Sequence, residues 1–318
     1  MLDIDLIREH PDDVREGMRK VGAEPQMVDR ILELDEQWRG YVSQSQELKA
    51  RRNRDSKKVA KAESDQERQE LIEELREVGD EIDRLDEQAE EVRETLDELM
   101  LNVPNMPHEE VPVGGDESEN VIRRTEGEPP DFEFEPRPHW DIGPELGIMD
   151  FERGVKLSGS RFYVLKGAGA RLQRALIAWM LQLHTEEHGY TEIYPPAIVQ
   201  GKCLVGTGNL PKFAENLYHD AEEDFWLIPT AEVPLTNLHR EEILEADDLP
   251  RYYTAYTPCF RREKMKAGKD VRGIKRGHQF DKVELMKYVE PDRSDEELQK
   301  LLADAEMVCQ GLGLPYRV

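Results

Sequence analysis

The 318-residue chain carries 69 Asp+Glu against 43 Lys+Arg, a formal charge of −26, with 38% hydrophobic and 35% charged residues. That balance excludes nucleic-acid binding spread over the whole surface, although local basic patches survive because exposed charges are screened within about 8–10 Å. The start, MLDIDLIREH, lacks a signal-peptide pattern, no apolar run is long enough to span a membrane, and Cys203, Cys259 and Cys309 are too far apart for a disulfide framework or a zinc motif, so a reduced, cytoplasmic protein is expected.

The length suggests two domains, and the apolar content fills one good core but not a core along the whole chain. The elongated part comes first. Ile31, Leu34, Trp38, Tyr41, Ser45, Leu48, Arg52, Asp55 and Val59 are spaced alternately by three and four residues, and so are Leu71, Leu75, Val78, Ile82, Leu85, Ala89, Val92, Leu96 and Leu99. Two such heptad seams, with no proline from Met27 through Leu101 and a break near residues 62–66, predict an antiparallel helical hairpin, each helix about 45 Å long. Charge is uneven along it: LKARRNRDSKKVAK, residues 48–61, holds seven basic residues (Lys49, Arg51, Arg52, Arg54, Lys57, Lys58, Lys61) and one acidic one, whereas the returning helix is strongly acidic. Two readings stay open on spacing alone: a solvated face with cross-hairpin ion pairs, or a cationic tip that touches phosphates. Pro104 and Pro107 then end the second helix, and a stretch rich in Gly, Pro, Glu and Asp runs to about Pro138. The organisation expected is an arm over 1–104, a linker over 105–138 and a body over 139–318.

In the body, SGSRFYVLKG (158–167) reads as a strand between turns, 168–189 as a helix stopped by Gly189, and YTEIYPPAIV (190–199) as an extended segment broken by Pro195 and Pro196. DFWLIPTAEVPLTNLH (224–239) reads as a short strand followed by Thr230-Ala231-Glu232. RYYTAYTPCFRRE (251–263) and HQFDKVELMKYV (278–289) read as an antiparallel hairpin around a basic loop, with eight basic and two acidic residues between Arg261 and Arg276. Hairpins without regular βαβ alternation predict an α+β body built on an antiparallel sheet. Cys259 has no neighbouring base and reads as a buried strand residue, His278 as a packing or hydrogen-bonding group, and Glu222-Glu223-Asp224 as a solvated turn rather than a metal cluster.

FRRE, the long loop and HQFDKVEL together resemble motif 2 of class II aminoacyl-tRNA synthetases, and 168–199 resembles motif 1. TAEVPLTNLH, TGNLPKF (207–213) and the heptad hairpin make the whole chain resemble seryl-tRNA synthetases of the common bacterial type. The resemblance implies ATP-dependent activation of L-serine to seryl-adenylate and transfer to tRNA(Ser), a homodimer, and Mg2+ accompanying ATP without a protein ligand in this chain. It implies a serine site of Thr230, Ala231, Glu232, Arg261 and Glu284, and an ATP site of Arg261, Arg262, Glu263, Arg276 and Phe280. Phe280 matches the ring under adenine, and Glu284 the acceptor of the serine side chain and amine. Chemically, Arg261 suits the task of forking between a carboxylate and a phosphate that repel each other. The basic run of the arm, with Lys266 and Lys269 of the motif 2 loop, would contact tRNA. The family also has a third motif, a strand leading to a glycine-rich helix start, and no such segment follows Glu284 before the chain stops at GLGLPYRV. The expectation is therefore an incomplete catalytic domain whose adenylation is weak or absent; the alternative is a noncatalytic tRNA-binding or coiled-coil interaction paralogue.

Overall fold

The computed structural model describes residues 2–59, 62–264 and 272–318. It divides into two compact units, Met1–Val121 and Ile122–Val318.

The first unit contains α1 (Ile4–Glu9), α2 (Pro11–Lys20), α3 (Met27–Val59) and α4 (Asp65–Met100). Pro11 opens α2, where a missing N–H costs nothing, and the Ser64 hydroxyl caps α4 by accepting from the Glu67 amide. Contacts across the pair run Trp38 to Arg93, Ser45 to Asp86 and Arg51 to Glu74, so numbers rise on α3 as they fall on α4. The hairpin is antiparallel, as the heptads predict. All described seam positions are buried or half-buried, including the polar Arg52 and Asp55. Unforeseen in the sequence, α1 and α2 cover one end of the hairpin: Ile7, Val14 and Met18 join Val28, Ile31, Leu34, Leu96, Met100 and Val103 in one core. Each fully buried side chain of this size contributes about 1.5–3 kcal/mol. Beside that core Asp35 is 1% exposed and is held by Arg8, whose Nε donates to Oδ2 at 2.9 Å and Nη2 to Oδ1 at 2.5 Å.

The second unit contains α5 (His139–Glu145), α6 (Phe151–Ser158), α7 (Ala168–Gln182), α8 (Gly201–Gly206), α9 (Glu232–Thr236) and α10 (Ser294–Gly311). Its strands are β1 (Thr125–Glu126), β2 (Met149–Asp150), β3 (Val164–Leu165), β4 (Thr191–Glu192), β5 (Ile198–Val199), β6 (Tyr218–His219), β7 (Trp226–Leu227), β8 (Arg251–Phe260), β9 (Gln279–Tyr288) and β10 (Tyr316–Arg317). They form pairs β1-β10 and β2-β3 and the sheets β4-β8-β9 and β5-β7-β6, antiparallel throughout except where β4 runs parallel to β8. The strand expected over 158–167 is reduced to Val164–Leu165, because Gly159 (φ 90°) and Arg161 (φ 67°) take left-handed conformations that an extended run cannot contain.

The β8–β9 hairpin positions the site. Its register sets Cys259 opposite Phe280, Thr257 opposite Lys282 and Ala255 opposite Glu284. Strand side chains alternate, so Phe280, Lys282 and Glu284 share one face. The other face meets α7 and α10. There Lys287, its side chain 5% exposed, sets its ammonium 4.2 Å from the centre of the Tyr252 ring and 5.6 Å from that of Tyr190, and pairs with Glu297 at 3.2 Å and Asp304 at 3.5 Å.

Candidate active site

On the first face of the hairpin, three side chains from two segments converge. The Thr230 hydroxyl, just before α9, donates to Glu284 Oε2 at 2.6 Å. Lys282 Nζ donates to Thr230 Oγ1 at 2.8 Å and pairs with Glu284 Oε2 at 2.5 Å. Thr230 is 5% exposed and Ala231 is fully buried against Leu235 and Ala255, which fixes the height of this segment over the sheet. Glu232 contributes its backbone amide to Thr230 Oγ1 at 3.3 Å, while its side chain is exposed.

At the open end of the hairpin, the Arg261 guanidinium lies 5.2 Å from the centre of the Phe280 ring and donates from Nε to the Pro229 carbonyl at 3.2 Å. The cation–π contact and the hydrogen bond hold the planar fork next to the Thr230–Glu284 cluster. Arg262, one residue out of register with Arg261, lies instead over the Tyr218 ring at 5.5 Å. Glu263 takes a left-handed backbone (φ 47°), a conformation costing an L-residue about 1–2 kcal/mol. It is held there by Arg161, whose Nη1 donates to the Glu263 carbonyl at 2.6 Å, and by Arg276, whose Nη1 donates to Glu263 Oε2 at 3.2 Å. Strain maintained by two arginines is typical of functional positions. Gly273 passes so close to His139 that a Cβ would overlap the ring, and the His139 Nε2 accepts from the Ile274 amide at 3.0 Å.

Phe280 also borders a cleft of about 310 Å³ with Phe162, Tyr163, Gln173, Gln279 and Asp281. That volume is at the lower end of the usual small-ligand range, about 300–1,000 Å³. His278 does structural work: its Nδ1 is within hydrogen-bond distance of the Arg261 carbonyl (3.0 Å) and the Tyr218 hydroxyl (2.9 Å), and its ring stacks on Phe162. Cys259 is completely buried, and burial pushes its thiol up from its ordinary value, away from nucleophilic use. Asp224 accepts from the Gly201 amide and the Trp226 indole, and Glu222 and Glu223 are exposed, as a solvated turn requires.

The structure thus brings together Thr230, Arg261, Phe280 and Glu284 in one place, and Glu263 with Arg276 in a second. Lys282 and Arg161 were missed by sequence reasoning. Period-two spacing from Phe280 and Glu284 would have placed Lys282 on the site face; nothing local signals Arg161, which reaches Glu263 across 102 residues.

In the arm, Lys49 pairs with Asp86 at 2.8 Å, Arg51 with Asp55 and Glu74, and Lys58 with Asp55 at 2.6 Å. Arg54 and Lys57 are exposed and form no ion pair with a described residue. Arg52 is half-buried in the seam. The candidates Lys61, Lys266 and Lys269 lie outside the described residues.

A family model of the seryl-tRNA synthetase N-terminal domain matches residues 1–107, and one of the tRNA synthetase class II core domain (G, H, P, S and T) matches residues 213–318. The serine–tRNA ligase of Thermomicrobium roseum is 58% identical over 318 residues, all of this chain and 71% of that protein. The chain belongs to the serine–tRNA ligase family. The ligase of Roseiflexus castenholzii is 57% identical over 317 residues, which is 74% of its length. Among solved structures, the seryl-tRNA synthetase of Pyrococcus horikoshii complexed with ATP superposes with a TM-score of 0.92 at 37% identity, covering all of this chain and 76% of that one. The cytoplasmic serine–tRNA ligase of Naegleria fowleri in complex with AMP gives 0.85 at 30% identity, with 74% of its chain covered. The family is an enzyme family whose fold, a long helical arm and an antiparallel-sheet unit, is the one described above.

Proposed function

We propose that the protein is one that activates L-serine with ATP and transfers it to tRNA(Ser), and that the Ile122–Val318 unit carries the motif 2 part of the adenylation site. The observation that carries this is the clustering of Arg261 and Phe280 with Thr230 and Glu284 on one face of β8–β9 in a chain of the serine–tRNA ligase family. Activation joins a serine carboxylate to the α-phosphorus of ATP, expelling pyrophosphate. Two anions must approach, and the Arg261 fork neutralises both while holding them in line. Phe280 supplies a face for adenine beside the 310 Å³ cleft. Arg276, steadied by Glu263, serves the outer phosphates, and Arg262 is a reserve cation on the same strand end. Glu284 accepts from the serine hydroxyl and ammonium, with Thr230, Ala231 and Glu232 forming the rest of that wall. A substrate lacking the hydroxyl leaves this acceptor unpaired, at a cost of about 1–3 kcal/mol.

Among the described residues no group of three His, Cys, Asp or Glu side chains could hold a metal ion. Mg2+ would accompany the phosphates of ATP, a mode of binding that leaves several waters on the metal and needs no such group of protein ligands. Among the described residues no helix is long and apolar enough to cross a membrane, and we place the reaction in the cytoplasm with tRNA. The Met1–Val121 unit is the tRNA-binding arm.

The test is binding of a non-hydrolysable seryl-adenylate analogue, with a sulfamoyl group in place of the phosphate, by titration calorimetry. Wild type binds it, and Arg261→Ala binds roughly tenfold or more weakly, the loss of a charge-assisted contact. No binding by wild type overturns the assignment; tRNA binding without analogue binding identifies a noncatalytic paralogue instead.

A further inference from the structure

Among the described residues, Lys282 is the cation that enters the Thr230–Glu284 cluster. Its Nζ meets Thr230 Oγ1 at 2.8 Å and Glu284 Oε2 at 2.5 Å. The Thr230 hydroxyl also donates to Oε2, at 2.6 Å. Both donors therefore converge on the same carboxylate oxygen. Glu284 Oε1 has no hydrogen-bond partner among the described residues, and it is not one of the buried atoms left unsatisfied, so solvent or a ligand reaches it.

We propose that Lys282 is a positioning residue of the serine site: with Thr230 it locks Oε2 of Glu284, leaving Oε1 as the fixed acceptor for the amino acid's hydroxyl and ammonium. The proposal rests on Glu284 facing serine, as assigned above. A glutamate carboxylate turns easily about its last torsion, which is broad and roughly two-fold. An acceptor free to turn can follow a smaller substrate or water and discriminates poorly; one pinned through one oxygen presents the other at a fixed point. The residue type fits the task. An arginine fork would engage both oxygens side by side, whereas a lysine ammonium is a point donor that satisfies one and spares the other. Register fits it too, because Lys282 opposes Thr257 two pairs along from Ala255–Glu284, which returns it to the same face.

The experiment compares Kd for the seryl- and alanyl-adenylate sulfamoyl analogues on the full chain, in wild type, Lys282→Met, Glu284→Gln and the double variant. Wild type should prefer the seryl analogue. Lys282→Met should weaken the seryl analogue roughly tenfold more than the alanyl one, the scale of one charge-assisted hydrogen bond, because the two share the ammonium contact and differ only in the hydroxyl. The double variant should be no worse than Glu284→Gln, since the lysine acts through the glutamate. Retained preference in Lys282→Met, equal loss of both analogues, or loss additive with Glu284→Gln overturns the proposal. Absence of any preference in wild type would instead overturn the serine-site assignment itself, and the proposal with it. If circular dichroism shows Lys282→Met unfolded, Lys282→Gln is judged by the same criteria.

Discussion

Glu297 illustrates how single residues tie the stability of the fold to pH. Its carboxylate is 2% exposed and accepts from Lys300 Nζ at 2.7 Å, Tyr252 hydroxyl at 2.6 Å and Lys287 Nζ at 3.2 Å. Hydrogen bonds from Lys300 first, then Tyr252 and Lys287, lower it from 4.5 to about 2. A carboxylate with a depressed folded pKa adds stability that is full above its unfolded value and is lost as pH falls towards the folded one. The protein should therefore lose stability between about pH 4.5 and about pH 2. Glu297→Gln should flatten that part of a Tm-against-pH curve; an unchanged acid limb would show that other carboxylates dominate. Residues of this kind were hidden in the sequence. Glu297 reads as one more acid in the first turn of a helix, and only the approach of Lys287 and Tyr252 from the sheet makes it a buried ion. Phe280 and Glu284 were legible because strand periodicity puts them on one face whatever they pack against.

At the scale of elements, α3 and α4 were legible throughout their described length, because a heptad is a local pattern and the partner helix lies on the same stretch of chain. The charge run near residues 48–61 was not. Lys49, Arg51 and Lys58 spend their charge on Asp86, Glu74 and Asp55, which leaves Arg54 and Lys57 as exposed cations. The ion-paired reading thus holds for Lys49, Arg51 and Lys58, and Arg54 and Lys57 are the residues on which the second reading can be tested. Arg54→Ala with Lys57→Ala should weaken tRNA binding and reduce its log–log salt slope by about 0.7–0.9 per lost phosphate contact, without changing binding of the adenylate analogue. Filter binding from 50 to 300 mM salt measures this, on the order of the range where counterion release dominates; an unaltered slope removes these two residues from the tRNA interface. The strand expected between turns in 158–167 is present but short, because the left-handed residues Gly159 and Arg161 extend the first turn and leave Val164–Leu165 as the extended part.

For the whole molecule, charge and exposed apolar surface act in opposite directions. The segment resembling motif 1 leaves Leu172 59%, Tyr194 90% and Ile198 55% exposed, and we expect a homodimer to cover it. Two subunits of charge −26 repel at low ionic strength. Sedimentation should find twice the monomer mass, with a dissociation constant that falls as salt rises; a monomer at all salt concentrations would remove the dimer. The sequence by itself determined the helical hairpin, the β8–β9 hairpin and the residues facing along it, since each follows from periodicities of three to four or of two within a short stretch. Tertiary structure alone decided that α1 and α2 close one end of the arm, that Arg161 and Arg276 hold Glu263, and that Thr230 and Lys282 meet on one oxygen of Glu284. Thr230 and Glu284 are 54 residues apart. Which atoms meet across such a distance is set by the packing of α9 and the neighbouring strands, and no local pattern of residues encodes it.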